Sequence, residues 1–302
     1  MSAPEGHSPA VRRATLVGGI AVLNWATLAL FTKLAGPVPP FQLVAMAFAI
    51  AFLVGLAWTV ASGRSPLRYL RQPARVWALG IGGLFGFHFC YFVALRLAPP
   101  VEANLINYTW PLLIVVFSAL LPGERLRWFH LAGVLMGLVG AVLLIGREGL
   151  SHSSAHMLGY GVAFLSALIW SSYSVLSRHV GHVPTDTVAW FCGGTALLAL
   201  ICHLVLEATV WPVGVGWIGV LCLGLGPVGS AFFFWDYGVK RGDIRALGAM
   251  AYGAPLLSTL LLIGFGFGRL DVAVGLACVL IVGGAVLAGR EVWRRRPAMV
   301  SR

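Results

Sequence analysis

Residues 101–127, VEANLINYTWPLLIVVFSALLPGERLR, decide how the chain is to be read. The stretch opens with one acid, Glu102, runs about twenty residues without a charge, and closes in a Pro-Gly turn and a charged cluster. Wound as a helix, such a run reaches about 30 Å, the thickness of the hydrocarbon core of a bilayer. It is not uniformly apolar. At about 100° per residue, Asn104, Asn107, Tyr108 and Pro111 fall on one side. An amide facing lipid leaves hydrogen-bonding groups unpaired, at roughly 2–7 kcal/mol in an apolar medium. The side that carries two of them therefore meets other protein or a wet cavity. A helix-packing face and a cavity wall both fit.

The rest of the chain repeats this design. Of its 302 residues 59% are hydrophobic and 10% charged, with a mean hydropathy of +0.89, whereas a soluble domain carries roughly 25% charge. Charges punctuate ten apolar spans, at 14–32, 41–61, 76–95, 103–121, 128–146, 158–177, 187–206, 214–235, 246–265 and 272–289. Each has about the 17–25 residues that a crossing needs. Strands of an outer-membrane barrel would be half as long and would alternate polar with apolar residues. The expected fold is an all-α polytopic membrane protein of ten transmembrane helices. Span 14–32 follows a short polar segment without a small-residue cleavage site, and reads as a retained helix. Cys90, Cys192, Cys202, Cys222 and Cys278 are dispersed through the spans, without metal-ligand spacing or a disulfide pattern. No metal site is expected.

The formal charge of +11 does not point to nucleic acid, because the arginines are divided among short loops. With the N-terminus in the cytoplasm, all of the 21 lysines and arginines except Lys33, Arg96, Arg147 and Arg269 fall on that side. This positive-inside asymmetry places both termini in the cytoplasm. The loop from Arg64 to Arg75 is the most basic inside the chain, and is expected to anchor against anionic lipid.

A weak internal repeat is visible. LNWATLALFTKLAGPVP from Leu23 aligns with LIWSSYSVLSRHVGHVP from Leu168, pairing Trp25 with Trp170, Gly36 with Gly181 and Pro39 with Pro184. NYTWPLL from Asn107 aligns at nearly the same offset with AYGAPLL from Ala251, pairing Tyr108 with Tyr252 and Pro111 with Pro255; further on, Arg125 meets Arg269 and Gly140 meets Gly284. Five crossings per copy insert the second upside down relative to the first, a common construction among secondary transporters. The expected division is a tail over 1–13, a five-helix unit over 14–146, an inverted one over 158–289 and a basic tail over 290–302.

Several spans carry polar or ring-bearing residues at depth. The third holds GLFGFHFCYF, with His88 near its middle and Tyr91 close by; a midplane histidine is a proton relay, a substrate contact or a neutral ring with one internal hydrogen bond. The second span is poor in polar residues and reads as peripheral or packing. The fifth, with Gly133, Gly137 and Gly140, reads as close helix packing. In the sixth, Ser166, Trp170, Tyr173, Ser174 and Ser177 share a side. The eighth ends with Trp235 and Asp236, the carboxylate falling at the inner boundary. Pro111 and Pro255 each remove a backbone donor and bend their helices at matching depths. Together Trp25, His88, Tyr91, Asn107, Tyr108, Trp170, Tyr173, Trp235 and Tyr252 form a ring-rich surface with amides and hydroxyls and no fixed charge at the midplane. Such a wall suits an apolar or aromatic molecule with a small zwitterionic head. A phosphorylated sugar would want a deep arginine or lysine, and a cation pump a buried carboxylate. There is no G-x-x-x-x-G-K-[ST], no H-E-x-x-H and no G-x-S-x-G, so neither ATP hydrolysis nor an enzyme or cofactor is expected.

At NLINYTWPLL, followed by PGERL and the glycine-spaced fifth helix, the sequence resembles the EamA-type ten-helix members of the drug/metabolite transporter superfamily, those that export aromatic amino acids in particular. The resemblance runs from residue 14 to 289. It implies two inverted five-helix repeats around a central cavity in the bacterial inner membrane. It also implies export of aromatic amino acids without ATP or an ATPase subunit. Positions matching the cavity pattern are Trp25, His88, Tyr91, Tyr108, Trp110, Trp170, Trp235 and Tyr252. The second copy departs from the first, with Gly253-Ala254 for Thr109-Trp110 and Gly268-Arg269 for Glu124-Arg125. The function expected is alternating-access export of aromatic and other large neutral amino acids. The alternatives are a broader drug or metabolite exporter and a non-transporting membrane sensor or scaffold. The partners expected are that small molecule and membrane lipid; oligomeric state is left open, since lipid-facing and subunit-facing surfaces look alike.

Overall fold

The structure, a computed structural model, describes residues 8–123, 125–145, 156–264 and 270–293. Among the described residues it contains helices and no strands. In chain order they are α1 (Pro9–Ala26), α2 (Leu28–Ala35), α3 (Pro40–Ala61), α4 (Ala74–Leu97), α5 (Pro100–Asn107), α6 (Trp110–Ser118), α7 (Trp128–Ile145) and α8 (Met157–Leu176). There follow α9 (Val188–Leu206), α10 (Gly216–Leu225), α11 (Ala231–Arg241), α12 (Ile244–Ala251), α13 (Gly253–Gly264), α14 (Val272–Ala288) and α15 (Arg290–Trp293). Nine stretches of the described chain are long and apolar enough to cross a membrane, some made of two helices end to end, such as Pro100–Ser118 and Ile244–Gly264. The stretch expected as a tenth span is helical and apolar over Val272–Ala288 but shorter than the other nine.

Local chemistry sets the boundaries. Pro40 and Pro100 open their helices, where a missing N–H costs nothing. Asp243 caps α12 by accepting the amides of Arg245 and Ala246 at 2.9 and 3.1 Å, and Asp271 caps α14 by accepting that of Val274 at 3.0 Å. Pro111 and Pro255 lie near the starts of α6 and α13, and the helices break just before them, at Tyr108–Thr109 and at Tyr252. These are the bends the sequence predicts. Two other breaks carry no such expectation. The first helix changes course at Thr27, whose hydroxyl and amide both turn back to the carbonyl of Asn24, at 2.7 and 3.0 Å. Between α10 and α11, Gly226–Ser230 forms a π-helical turn. A Cβ on Gly229 there would sit 1.8 Å from the carbonyl oxygen of Gly224, so only glycine fits.

Close helix pairs hold the bundle together. α7 and α14 run along each other through a glycine seam: a Cβ on Gly133 would lie 2.4 Å from the carbonyl oxygen of Gly284, and one on Gly140 3.2 Å from that of Ala277. The residue numbers rise along one helix as they fall along the other, so the pair is antiparallel. α1 meets α11 at Gly18 and Gly238, again backbone to backbone. α3 packs on α9 and α4 on α8.

Ionic groups gather at two opposite faces. On the basic face Arg64 pairs with Asp186 at 2.6 Å, Arg127 with Glu291 at 2.9 Å, and Arg178 donates to the carbonyl of Gly242 at 3.0 Å. Arg68 lies over the ring of Tyr69. In the loop expected to anchor on lipid, Arg64 is thus engaged by Asp186, while Arg68, Arg71 and Arg75 are exposed. On the other face the buried carboxylate of Glu207 accepts the amides of Phe41 and Gln42, both at 3.1 Å, and pairs with Arg96 at 2.9 Å and His203 at 3.1 Å. It clasps α3, α4 and α9 together. The eighth span does not stop at Trp235: α11 continues to Arg241 and buries Asp236, because Lys240 one turn later neutralises it at 2.8 Å. Glu124, Arg147, Gly268 and Arg269 lie outside the described residues.

Candidate functional site

Four tryptophans from four elements meet at the middle of the bundle. Trp25 comes from the end of α1, just before the bend; Trp110 is the first residue of α6, just after the break. Trp170 lies on α8 and Trp235 on α11. Every pair among them has ring centroids between 5.0 and 6.2 Å apart, most of them edge to face. That geometry places the positive edge of one indole on the negative face of the next. Two hydroxyls of α8 fix the frame: Ser171 donates to the carbonyl of Trp110 at 2.9 Å, and Ser174 accepts the indole N–H of Trp235 at 3.0 Å. The serine and aromatic side of α8 thus faces the tryptophan cluster.

Around the quartet sits a second ring of aromatics. His88 donates Nδ1–H to the carbonyl of Leu84 at 2.7 Å, since a carbonyl can only accept. Its imidazole stands edge-on to Phe48 and Phe87, with centroids 5.1 and 5.0 Å away. Tyr91 stacks on Phe87 and donates to the side-chain oxygen of Asn104 at 2.6 Å. Tyr173 lies 5.3 Å from Trp170. Asn107 accepts from Ser166 at 2.7 Å. The side-chain oxygen of each amide of the opening stretch thus accepts from another helix, Asn104 from α4 and Asn107 from α8.

The structure does not bring every expected residue into this cage. Tyr252, fully buried, belongs to a separate apolar cluster with Val115, Val134 and Ile281, against which Tyr108 also packs. There its ring fills the space over Gly137, whose Cβ would lie 2.5 Å from it. Conversely, Phe48 and Phe232 were not among the candidates. Phe232 stacks on Phe48 at 5.4 Å and reaches Trp170 at 5.7 Å and His88 at 6.1 Å. Its signal was its position three residues before Trp235, one turn away on the same side of α11. Phe48 comes from the helix read as peripheral or packing, and is fully buried at the centre.

The cage is neutral, with its charges held at a distance. Trp25, His88, Tyr91 and Tyr108 are half-buried, whereas Trp110, Trp170, Tyr173 and Trp235 are buried. The Asp236–Lys240 pair closes the end toward the basic face. Glu102 is buried against the hydroxyl of Tyr160. Among the described residues no group of three His, Cys, Asp or Glu side chains could hold a metal ion.

Comparison with known proteins is consistent along the whole chain. The profile of the EamA-like transporter family matches twice, over residues 13–146 and 157–290. The chain is 55% identical to the aromatic amino acid exporter YddG of Ancylobacter novellus, over 91% of this chain and 96% of that protein. It is 24% identical to the protein of the same name from Salmonella typhimurium, over 83% and 87%. The biotin transporter of Escherichia coli is 26% identical over 72% of each chain. A solved crystal structure with 54% sequence identity superposes with a TM-score of 0.89, covering 93% of this chain and 99% of the other. With an apolar helical bundle, two profile matches and relatives over most of its length, this multi-pass membrane protein belongs to the EamA-like transporter family.

Proposed function

We propose that the chain is a secondary transporter that exports aromatic and other large neutral amino acids by alternating access, without an ATPase subunit. The observation that carries this reading is the quartet Trp25, Trp110, Trp170 and Trp235, four indoles in mutual contact with no charge among them. Such a cage offers ring faces and edges to an aromatic side chain, where stacked or edge-on pairs contribute about 0.5–1.5 kcal/mol each beyond area burial. His88, Tyr91, Asn107, Tyr108 and Tyr173 complete the proposed site, and Tyr252 backs Tyr108 from the neighbouring apolar cluster. The 55%-identical relative named an aromatic amino acid exporter supports the same substrate class.

Ten crossings in two oppositely inserted repeats, 14–146 and 158–289, would let one cage open to either side in turn. The antiparallel packing of α7 on α14, the last helix of each repeat, supports that arrangement. With the basic face inside, the short tails 1–13 and 290–302 lie in the cytoplasm and the protein spans the bacterial inner membrane.

Flux and topology test the reading separately. Proteoliposomes loaded with labelled phenylalanine are expected to release it faster than empty-protein controls, with competition by tyrosine and tryptophan and none by nucleosides. Release no faster than the controls overturns export. In intact cells an impermeant thiol reagent is expected to reach Arg269→Cys and not Arg125→Cys, in a background free of other cysteines. Equal labelling of both from one side would end the inverted arrangement.

A further inference from the structure

We propose that Asp236 and Lys240 form a receiving site for the charged head of the substrate, with the ammonium of a zwitterionic amino acid going to Asp236 and its carboxylate to Lys240 and the hydroxyl of Tyr173. The inference rests on the exporter reading and assigns the head-group contacts that the aromatic cage lacks.

The pair lies at the end of the cage toward the basic face. Nζ of Lys240 is 2.8 Å from Asp236, and the two side chains are 4% and 1% exposed. Each also holds the α8–α9 connection: Asp236 accepts from Thr185 at 2.7 Å, and Lys240 donates to the carbonyl of Val183 at 3.1 Å. Beside them is a small cavity with room for about one water molecule, bordered by Gly80, Tyr173, Ser177, Phe191, Asp236 and Lys240. Tyr173 is 2% exposed, and its hydroxyl makes no close hydrogen bond, with only the Ser177 hydroxyl in reach. A buried hydroxyl left unpaired is costly, and this one borders a space beside two opposite charges. It is an independent sign that a polar group belongs there.

Buried ions separate only if each finds a new partner. When α11 parts from the α8–α9 connection, Asp236 loses Thr185 and Lys240 loses Val183. A zwitterion restores both contacts with its own ammonium and carboxylate, and fills the free valence of Tyr173. A molecule with only one of the two charges leaves the other residue unpaired, so the site selects for both. The ring of the captured molecule then meets Trp235, the neighbour of Asp236 in the chain, and Trp170, 5.3 Å from Tyr173. Head and side chain are read at adjoining places.

The experiment measures liposome flux of phenylalanine, of phenethylamine, which lacks the carboxylate, and of 3-phenylpropanoate, which lacks the ammonium. Lys240→Met is expected to lower kcat/KM for phenylalanine about tenfold or more while leaving phenethylamine unchanged, because a site built to bond a group loses most when that bond is lost. Asp236→Asn is expected to do the same with 3-phenylpropanoate as the insensitive compound. Equal losses for all three compounds would make the pair a mere closure of the bundle, and wild-type phenylalanine kinetics would remove it from the site; either overturns the proposal. Should a charge variant fail to fold, Tyr173→Phe keeps the ion pair and is expected to raise KM for phenylalanine but not for phenethylamine; an unchanged KM overturns the proposal. Wild-type protein that moves no phenylalanine defeats the exporter reading itself, a distinct result.

Discussion

Replacing Trp25 by alanine is expected to lower phenylalanine flux about ten- to a hundredfold while leaving the fold standing. The indole touches Trp110, Trp170, Phe232 and Trp235, with centroids 5.0 to 6.4 Å away, so it borders every other wall of the cage. Losing two ring contacts to a bound side chain removes about 1–3 kcal/mol, and each 1.4 kcal/mol is a factor of ten. Because Trp25 is half-buried, its truncation leaves less of a void than that of its neighbours. Trp235 is the contrasting case: fully buried and hydrogen-bonded to Ser174, it would cost about 3–5 kcal/mol of stability as alanine, and activity would fall with the fold. Trp25→Phe keeps a ring in place and is expected to retain most of the flux. Transport rate beside thermal unfolding in detergent separates the two effects. An alanine variant that moves phenylalanine at the wild-type rate would remove Trp25 from the site.

The largest structural effect is expected at the α7–α14 seam. A Cβ on Gly133 would stand 2.4 Å from the carbonyl oxygen of Gly284 and 2.8 Å from the amide nitrogen of Ala288, and one on Gly284 would stand 2.4 Å from the oxygen of Gly133. These neighbours are backbone and cannot rotate aside. Gly133→Leu must push the helices apart and strip contacts from Ala141, Ala277 and Ile281, all buried in the adjoining cluster. Overpacking of this kind costs about 1–3 kcal/mol, and more where backbone must move, and without a hydrophobic drive between helices in lipid, close packing is what holds such a pair. The expected result is a lowered melting temperature and a loss of monodisperse protein. Gly275→Leu is the control, since no atom lies within 4 Å of its Cβ position. Equal behaviour of the two variants would show that the seam is not what joins the helices.

What could be read from sequence divides along a physical line. Proline and buried amides announce themselves wherever they occur. Pro111 and Pro255 forced the two helix breaks, and Asn107 had to find a partner, which proved to be Ser166. Phenylalanine announces nothing: in a chain 59% hydrophobic, a ring facing lipid and a ring facing the centre are spelled alike, so Phe48 and Phe232 stayed hidden. The repeat pairs Tyr252 with Tyr108 as equivalent positions, and both are expected at the central surface; the two instead share an apolar cluster that lies apart from the tryptophans. By its position after the apolar run, Asp236 reads as the mark of a helix end. A carboxylate with a lysine four residues later can instead neutralise itself and stay buried, and that spacing was legible. The bend at Thr27 has no proline, and a hydroxyl turned to a carbonyl three residues back gives too common a signal to notice.

Four indoles packed this closely share their electronic excitations. Their ultraviolet bands are coupled, and the sign and size of the resulting dichroism depend on the angles between the rings. Any motion that pries Trp25 from Trp235, or any guest that slides between them, must change that spectrum. The protein thus carries its own optical reporter of motion and occupancy at the proposed site, needing no dye.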